Sequence, residues 1–222
     1  MKKLQFLFLF LLTFLFLQKT NAQWSVTPSL GVNNANIVYG KTNFDKSLYN
    51  FRPRNAVNYL MGGVTAKYNF TKKYAAELGV QFSQKGYQGT GFIDGKNTKL
   101  KIQYYEFMPA FEYSPFSFLS FYTGLNIGIK SKELSSIDSE PYKPLFINTI
   151  GVFIANPVDF GGLIGARLKY KKIQLGIHAN RSLIPTSKYT QTDNNGEIIG
   201  DVKEFHRVFQ LSLGYQINVK HK

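Results

Sequence analysis

The sequence predicts an all-β chain: an eight-stranded antiparallel up-and-down transmembrane β-barrel, exported behind a cleaved N-terminal signal. Three observations predict it. Segments near ten residues long alternate apolar and polar side chains with period two. The connections between them, at about 39–58, 69–74, 86–98, 114–119, 131–159, 171–172 and 183–204, run long, short, long, short along the chain, as in barrels with short turns at one end and long loops at the other. A basic N-terminus followed by an apolar run opens the sequence.

The N-terminal element comes first. Lys2 and Lys3 precede a run from Leu4 to Leu17 broken only by Gln5 and Thr13, and Asn21-Ala22-Gln23 follows. A basic region, an apolar region and a small-residue site are the parts of a secretion signal, with cleavage expected after Ala22. The run is shorter than the roughly 20 residues a spanning helix needs. Residues 1–22 are therefore expected to be the signal and 23–222 a single barrel domain. No second long apolar run occurs, which excludes a helical membrane protein.

Composition narrows the function classes. The chain has no Cys, which excludes a lipidated N-terminal cysteine, a disulfide scaffold and thiolate chemistry. Lys and Arg number 27 against 13 Asp and Glu. Loss of Lys2, Lys3 and Lys19 with the signal leaves 24 against 13, a net charge of +11. A basic exported chain meets the anionic headgroups of outer-membrane lipid and lipopolysaccharide rather than nucleic acid. Fourteen Tyr and twenty Phe supply interfacial aromatics.

Eight strands follow in order. The first, from Trp24, sets Trp24, Val26, Pro28, Leu30 and Val32 against Ser25, Thr27, Ser29, Gly31 and Asn33. The second, Tyr59 to Tyr68, opposes Leu60, Val64 and Ala66 to Met61, Thr65 and Lys67. The third, Ala75 to Lys85, opposes Leu78, Val80 and Phe82 to Glu77, Gln81 and Lys85. In the fourth, Tyr105, Phe107, Phe111 and Tyr113 oppose Glu106, Met108 and Glu112, and Pro109, which has no N–H to donate, predicts a bulge or local distortion. The fifth alternates Phe121, Leu125, Ile127 and Ile129 with Tyr122, Asn126 and Lys130, and the sixth Phe160, Ile164 and Leu168 with Leu163, Arg167 and Lys169. The seventh opposes Ile173, Leu175 and Ile177 to Gln174 and His178, and the eighth Phe209, Leu211, Leu213 and Tyr215 to Gln210, Ser212 and Gln216. About 9 to 11 residues suffice for a tilted strand to cross a bilayer.

Period two says that each strand has two faces, not which one is inside. A soluble lipocalin-like barrel would bury the apolar face; a membrane barrel turns it to lipid. The polar face is rich in Gly, at 31, 63, 79, 124, 128, 165, 176 and 214, which suits the crowded lumen of a small barrel. Aromatics gather beside the short turns: Tyr68, Phe70 and Tyr74; Tyr113, Phe116, Phe118, Phe121 and Tyr122; Tyr170; Tyr215. Such clustering is the mark of an interfacial girdle. These patterns, with the loop asymmetry, favour the membrane barrel over a soluble periplasmic binder.

"YYEFMPAFEYSPFSFLSFYTGLNIGI", with its Glu-x-x-Pro before a hairpin, "DFGGLIGARLKYKKIQLGIHANRSL" and the Asn21-Ala22-Gln23 signal end give the sequence a likeness to a known group. It resembles the PorT-like outer-membrane β-barrel family of Bacteroidetes (outer membrane protein beta-barrel domain). The resemblance covers most of the mature chain and implies an eight-stranded barrel. It also implies an association of some members with secretion machinery.

The candidate site is the set of inward charges: Lys67, Glu77, Lys85, Glu106, Glu112, Arg167, Lys169 and His178. Buried charges must pair, so they are read as an ion-pair plug, with a proton or ion path as the competing role. Eight strands leave no channel of porin width. His178, Asn180 and Ser182 share a strand face. Residues i and i+4 lie roughly 13 Å apart on a strand, which rules out a His178–Ser182 dyad. His206 and His221 show no clustering in the sequence. No metal spacing or nucleotide fingerprint occurs, so no catalytic residue, metal or cofactor is assigned. The basic groups Lys41, Lys46, Arg52 and Arg54 of the first long connection face lipopolysaccharide phosphate or solvent. The expected function is that of a non-enzymatic outer-membrane barrel, a structural or surface-interaction protein or an accessory subunit of an envelope complex. The alternatives are a lipid-modifying enzyme in the same barrel and a soluble periplasmic lipocalin-like binder.

Overall fold

The computed structural model describes residues 23–40, 55–90, 97–137, 140–141, 154–192 and 198–219. The signal, the basic groups Lys41, Lys46, Arg52 and Arg54, and His221 lie outside them. In chain order the strands are β1 (Gln23–Tyr39), β2 (Val57–Asn69), β3 (Tyr74–Thr90), β4 (Asn97–Phe116), β5 (Leu119–Ile137) and the two-residue β6 (Glu140–Pro141) and β7 (Ile154–Ala155). Then come β8 (Val158–Tyr170), β9 (Ile173–Ser182), β10 (Ser187–Thr192), β11 (Ile198–Tyr215) and β12 (Ile217–Val219).

Eight of these close a ring. The order is β1-β2-β3-β4-β5-β8-β9-β11, and β11 pairs back onto β1. Every pairing is antiparallel. β12 continues β11 past Gln216 in the same register against β1. Following register partners around the ring from Ser25, through Lys67, Glu77, Ala110, Gly124, Leu163, Asn180 and Val208, returns to β1 at Ala35, a stagger of ten residues. At ~3.3 Å per residue and ~4.8 Å between strands, that stagger tilts the strands by about 40°. Closure leaves the eight-strand ring without an edge, so its backbone donors and acceptors are paired within the wall, as a bilayer requires.

The apolar face is outside. Leu30, Leu60, Leu78, Phe111, Ile164, Leu175 and Leu213 are exposed, while Ser25, Asn33, Lys67, Gln81, Asn126, His178 and Gln210 are buried. This inversion of a soluble core removes the lipocalin-like alternative, which needs the opposite phase on every strand. At the short-turn end an aromatic belt rings the wall. Trp24 packs on Tyr68 at 5.0 Å and Tyr68 on Phe70 at 5.2 Å, Tyr74 stacks on Phe111 and Tyr113, and Phe116 stacks on Phe118. The β8–β9 turn has two residues, with Lys171 at φ 54°, a positive φ of the kind that matches hairpin twist. Lys171 and Lys172 lay their ammonium groups over Tyr170 and Tyr215.

Three expectations need correction. Tyr122 is not part of the girdle: it shares the phase of Asn126, points inward and is 8% exposed. Of the bulge or local distortion expected at Pro109, only the distortion occurs. Pro109 stays in register with Leu78 of β3, and the missing donor shows only as a gap in the β4–β5 ladder at Met108 and Pro109, with the same register on both sides. The register shifts of that ladder lie instead at Gln103/Tyr104, where Ser131 is the extra residue, and between Tyr113 and Phe116 beside the short turn. Finally, the connections expected at 86–98, 131–159 and 183–204 contain strand: β3, β4 and β5 extend well past the apolar band, and β10 pairs with the start of β11. Beyond the bilayer water lies outside the wall, so the apolar face reverses: Ile37, Tyr59, Ile102, Tyr104, Val202 and Val208 turn inward and are buried, while Lys99 and Lys203 face out.

Candidate functional site

The lumen is filled by side chains from all eight ring strands, in two charged clusters separated by a small cavity. Toward the short turns, Arg167 of β8 donates to both carboxylate oxygens of Glu77 of β3, at 2.7 and 3.1 Å, and to Glu112 of β4. Lys169 reaches Glu112 at 2.5 Å and Lys67 of β2 reaches it at 3.4 Å, while the Ser114 hydroxyl donates to it at 3.0 Å. The planar guanidinium suits this bidentate bridging of two carboxylates. It also lies over the Tyr122 ring, 4.6 Å from the centroid.

Toward the long connections, Lys85 of β3 bridges Glu106 of β4 at 2.6 Å and Asp159 of β8 at 2.8 Å, and all three side chains are at most 2% exposed. Neutral donors saturate the carboxylates: Gln81 and Asn126 on Glu106 at 2.6 and 2.8 Å, and Ser182 on Asp159 at 2.6 Å. His206 Nδ1 sits 3.1 Å from Asp159. The Tyr104 ring packs against both Lys85 and His206. Taken together the two clusters oppose Lys67, Lys85, Arg167 and Lys169 to Glu77, Glu106, Glu112 and Asp159. Four cations meet four carboxylates, which is why so many charges tolerate burial; removing either partner alone would leave an uncompensated charge.

Between the clusters lies a cavity of about 60 Å³, lined by Gln81, Met108, Tyr122, Arg167, His178 and Gln210 among others. His178 is within 3.2 Å of the Tyr122 hydroxyl. Gly165 accommodates the Tyr122 ring and the base of the His178 side chain: a Cβ there would lie 2.5 Å from Tyr122 Cζ and 2.6 Å from His178 Cβ. All eight residues singled out from the sequence face this lumen. His178 stands apart from the ion pairs, and Asp159 and His206 join them unanticipated. As read from the sequence, Asp159 falls in a connection and His206 lies near the loop end of the eighth strand, and neither is assigned to the inward face until the ladders are seen to extend.

Residues 16–188 match the model of the family described as outer membrane protein beta-barrel domain. The chain belongs to that family. It is an outer-membrane β-barrel protein, located in the outer membrane. No curated protein matches it. Among solved structures, Ail of Yersinia pestis in complex with the heparin analogue sucrose octasulfate is 13% identical with a TM-score of 0.47, over 88% of this chain and 99% of that one. Neisserial surface protein A is 9% identical with a TM-score of 0.44, over 88% and 99%. The E. coli outer membrane protein W is 12% identical with a TM-score of 0.40, over 90% and 100%.

One constellation in this outer membrane protein beta-barrel domain bears on enzyme chemistry. Ser182, Asp159 and His206 meet in the lumen, but the Ser182 hydroxyl donates to Asp159 and accepts the His206 backbone N–H at 3.0 Å. An activated serine needs its proton on the histidine ring. Here the carboxylate holds the serine, and all three residues are at most 3% exposed. The arrangement ties three strands together and presents no nucleophile to a lipid.

Proposed function

We propose that the protein is a non-enzymatic surface-interaction barrel: a rigid membrane wall, plugged along its axis, that holds its long-connection end outside the bilayer as a contact surface. It acts alone or as an accessory subunit of an envelope complex, and the resemblance of its β4–β5 and β8–β9 stretches to PorT-like barrels favours a place near secretion machinery. The eight inward charges serve as the plug and not as an ion path. The signal is removed after Ala22, and residues 23–222 form the barrel domain. Outer-leaflet lipid and lipopolysaccharide are the partners of its wall.

The observation that carries this reading is the lumen packing. Two ion-pair clusters, which together match four cations to four carboxylates, occupy its height and leave about 60 Å³ between them, room for at most a few water molecules. Reconstitution of the mature chain in planar lipid bilayers tests it. The expected result is a silent bilayer, and a steady ionic current carried by the wild-type barrel would overturn the plug.

A further inference from the structure

The outer wall changes chemistry at one level. Val32, Leu60, Ala179 and Phe209 face lipid on β1, β2, β9 and β11. The next outward residues on the same strands are Asn34, Asn58, Arg181 and Arg207, all exposed. The apolar band therefore ends here, at the headgroup level of the outer leaflet.

At that level two arginines stand side by side. Arg207 and Arg181 are register partners across β11 and β9, with Cα atoms about 4.5–5.5 Å apart. Like charges directly opposite destabilise an antiparallel pair. No carboxylate relieves them among the described residues. Asp201, the outward acid of β11, lies six residues further along the strand and is engaged by Lys188 at 2.8 Å and Thr190 at 3.1 Å. Lys203, exposed on the same face of β11 four residues beyond Arg207, roughly 13 Å along the strand, adds a further cation toward the long connections.

A groove adjoins the pair. A cavity of about 170 Å³ in the wall is lined by Asn34, Asn36, Ala179, Arg207 and Phe209. Its floor is apolar and its upper edge polar. Asn34 and Asn58 are joined by a 2.8 Å hydrogen bond, but the side-chain oxygen of Asn36 is buried with no hydrogen-bond partner. Such an acceptor is satisfied by a hydroxyl or amide N–H from outside the chain.

We propose that Arg181 and Arg207 bind a phosphate of an outer-leaflet phosphoglycolipid. The geometry explains each part of the ligand: paired guanidiniums take the phosphate oxygens in charge-assisted hydrogen bonds, Asn36 takes a sugar hydroxyl or amide, and the acyl chains descend over Phe209, Leu211 and Leu213. The proposal rests on lipopolysaccharide as the partner of the wall and gives that partner an address.

The test is native mass spectrometry of the mature chain in neutral detergent, titrated with bisphosphorylated lipid A, dephosphorylated lipid A, phosphatidylglycerol or inorganic phosphate. The wild type is expected to retain one bisphosphorylated lipid A. Arg181→Ala with Arg207→Ala is expected to weaken retention at least about tenfold, dephosphorylation of the lipid to do the same, and Lys132→Ala on β5 to leave it unchanged. Equal retention of phosphatidylglycerol or dephosphorylated lipid A, or equal loss in Lys132→Ala, would overturn the site in favour of diffuse charge. Displacement of the lipid by millimolar inorganic phosphate would overturn it in favour of a free-anion site. Heat-modifiable gel mobility separates the two levels of failure: its absence in the wild type sinks the barrel itself, whereas its presence with no lipid retained sinks only the site.

Discussion

Replacing Lys85 by Met would delete one charge from the lumen and keep most of the side-chain volume. Among the described residues, Lys85 is the one lysine or arginine that bridges Glu106, at 2.6 Å, and Asp159, at 2.8 Å, and the three groups are at most 2% exposed. Breaking a buried pair while its partner stays charged costs ~3–5 kcal/mol. Here two carboxylates lose the same partner, but each keeps neutral or ring donors, from Gln81 and Asn126 on one and Ser182 and His206 on the other. The expected loss for Lys85→Met is therefore ~3 kcal/mol, at the lower end of the range. Adding Glu106→Gln and Asp159→Asn removes the stranded charges, and the triple variant should recover at least half of that loss. Equilibrium urea unfolding of the refolded barrel in detergent reads both values, with a reduced midpoint at constant slope marking a pure stability change. A single variant within ~0.5 kcal/mol of wild type, a change typical of exposed sites, would refute the view that these charges form a mutually compensated plug.

Further outcomes follow from the wall and the rim. Leu213→Arg, on the lipid face near the middle of the bilayer, should cost ~2–4 kcal/mol in vesicles, whereas Ser212→Ala, on the lumen side of the same strand, should fall within ~1 kcal/mol; urea unfolding of both compares the faces directly. Gly86→Ala should lower stability by ~2 kcal/mol or more, because Gly86 holds φ 149° and a Cβ would lie 1.9 Å from the Leu100 carbonyl oxygen; heat-modifiable mobility scored against temperature measures it. Hydrogen bonds from Lys188 and Thr190 hold the Asp201 carboxyl below its ordinary value, so its contribution to the β10–β11 hairpin is present above the unfolded carboxylate pKa of ~3.9 and is lost as pH falls through the lower folded value. Amide exchange in β10 should accelerate over that acidic window, slightly because the pair is exposed, and Asp201→Asn should abolish the pH dependence.

Much of the fold was legible before any coordinates. Along "FQLSLGYQINV" the alternation of Phe209, Leu211 and Leu213 with Gln210 and Ser212 names two faces, and the loop asymmetry chooses which faces lipid. Less was legible of the rim. Lys99, Lys101 and Gln103 alternate with Leu100, Ile102 and Tyr104 in the β4 ladder, but there the apolar set turns inward, whereas from Tyr105 on it turns outward; the change of apolar face at Tyr104-Tyr105 interrupts the pattern and hides that the strand is continuous. Tyr122 was misread as interfacial because it follows Phe121 at a short turn, yet its phase already matched Asn126. Phase outranks proximity along a strand.

The plug shows where sequence reasoning stops. That Lys67, Glu77, Lys85, Glu106, Glu112, Arg167 and Lys169 lie on the faces opposite the apolar ones follows from period two alone, since a side chain's face is a local property of the strand, and the loop asymmetry turns those faces inward. Which cation meets which carboxylate is not local. Lys85 and Asp159 stand 74 residues apart and Arg167 and Glu77 stand 90 apart, on strands that are not neighbours in the ring. Their meeting depends on closure and on the ten-residue stagger that sets each level of the lumen, and a shift of one residue in any ladder would move these charges to lipid.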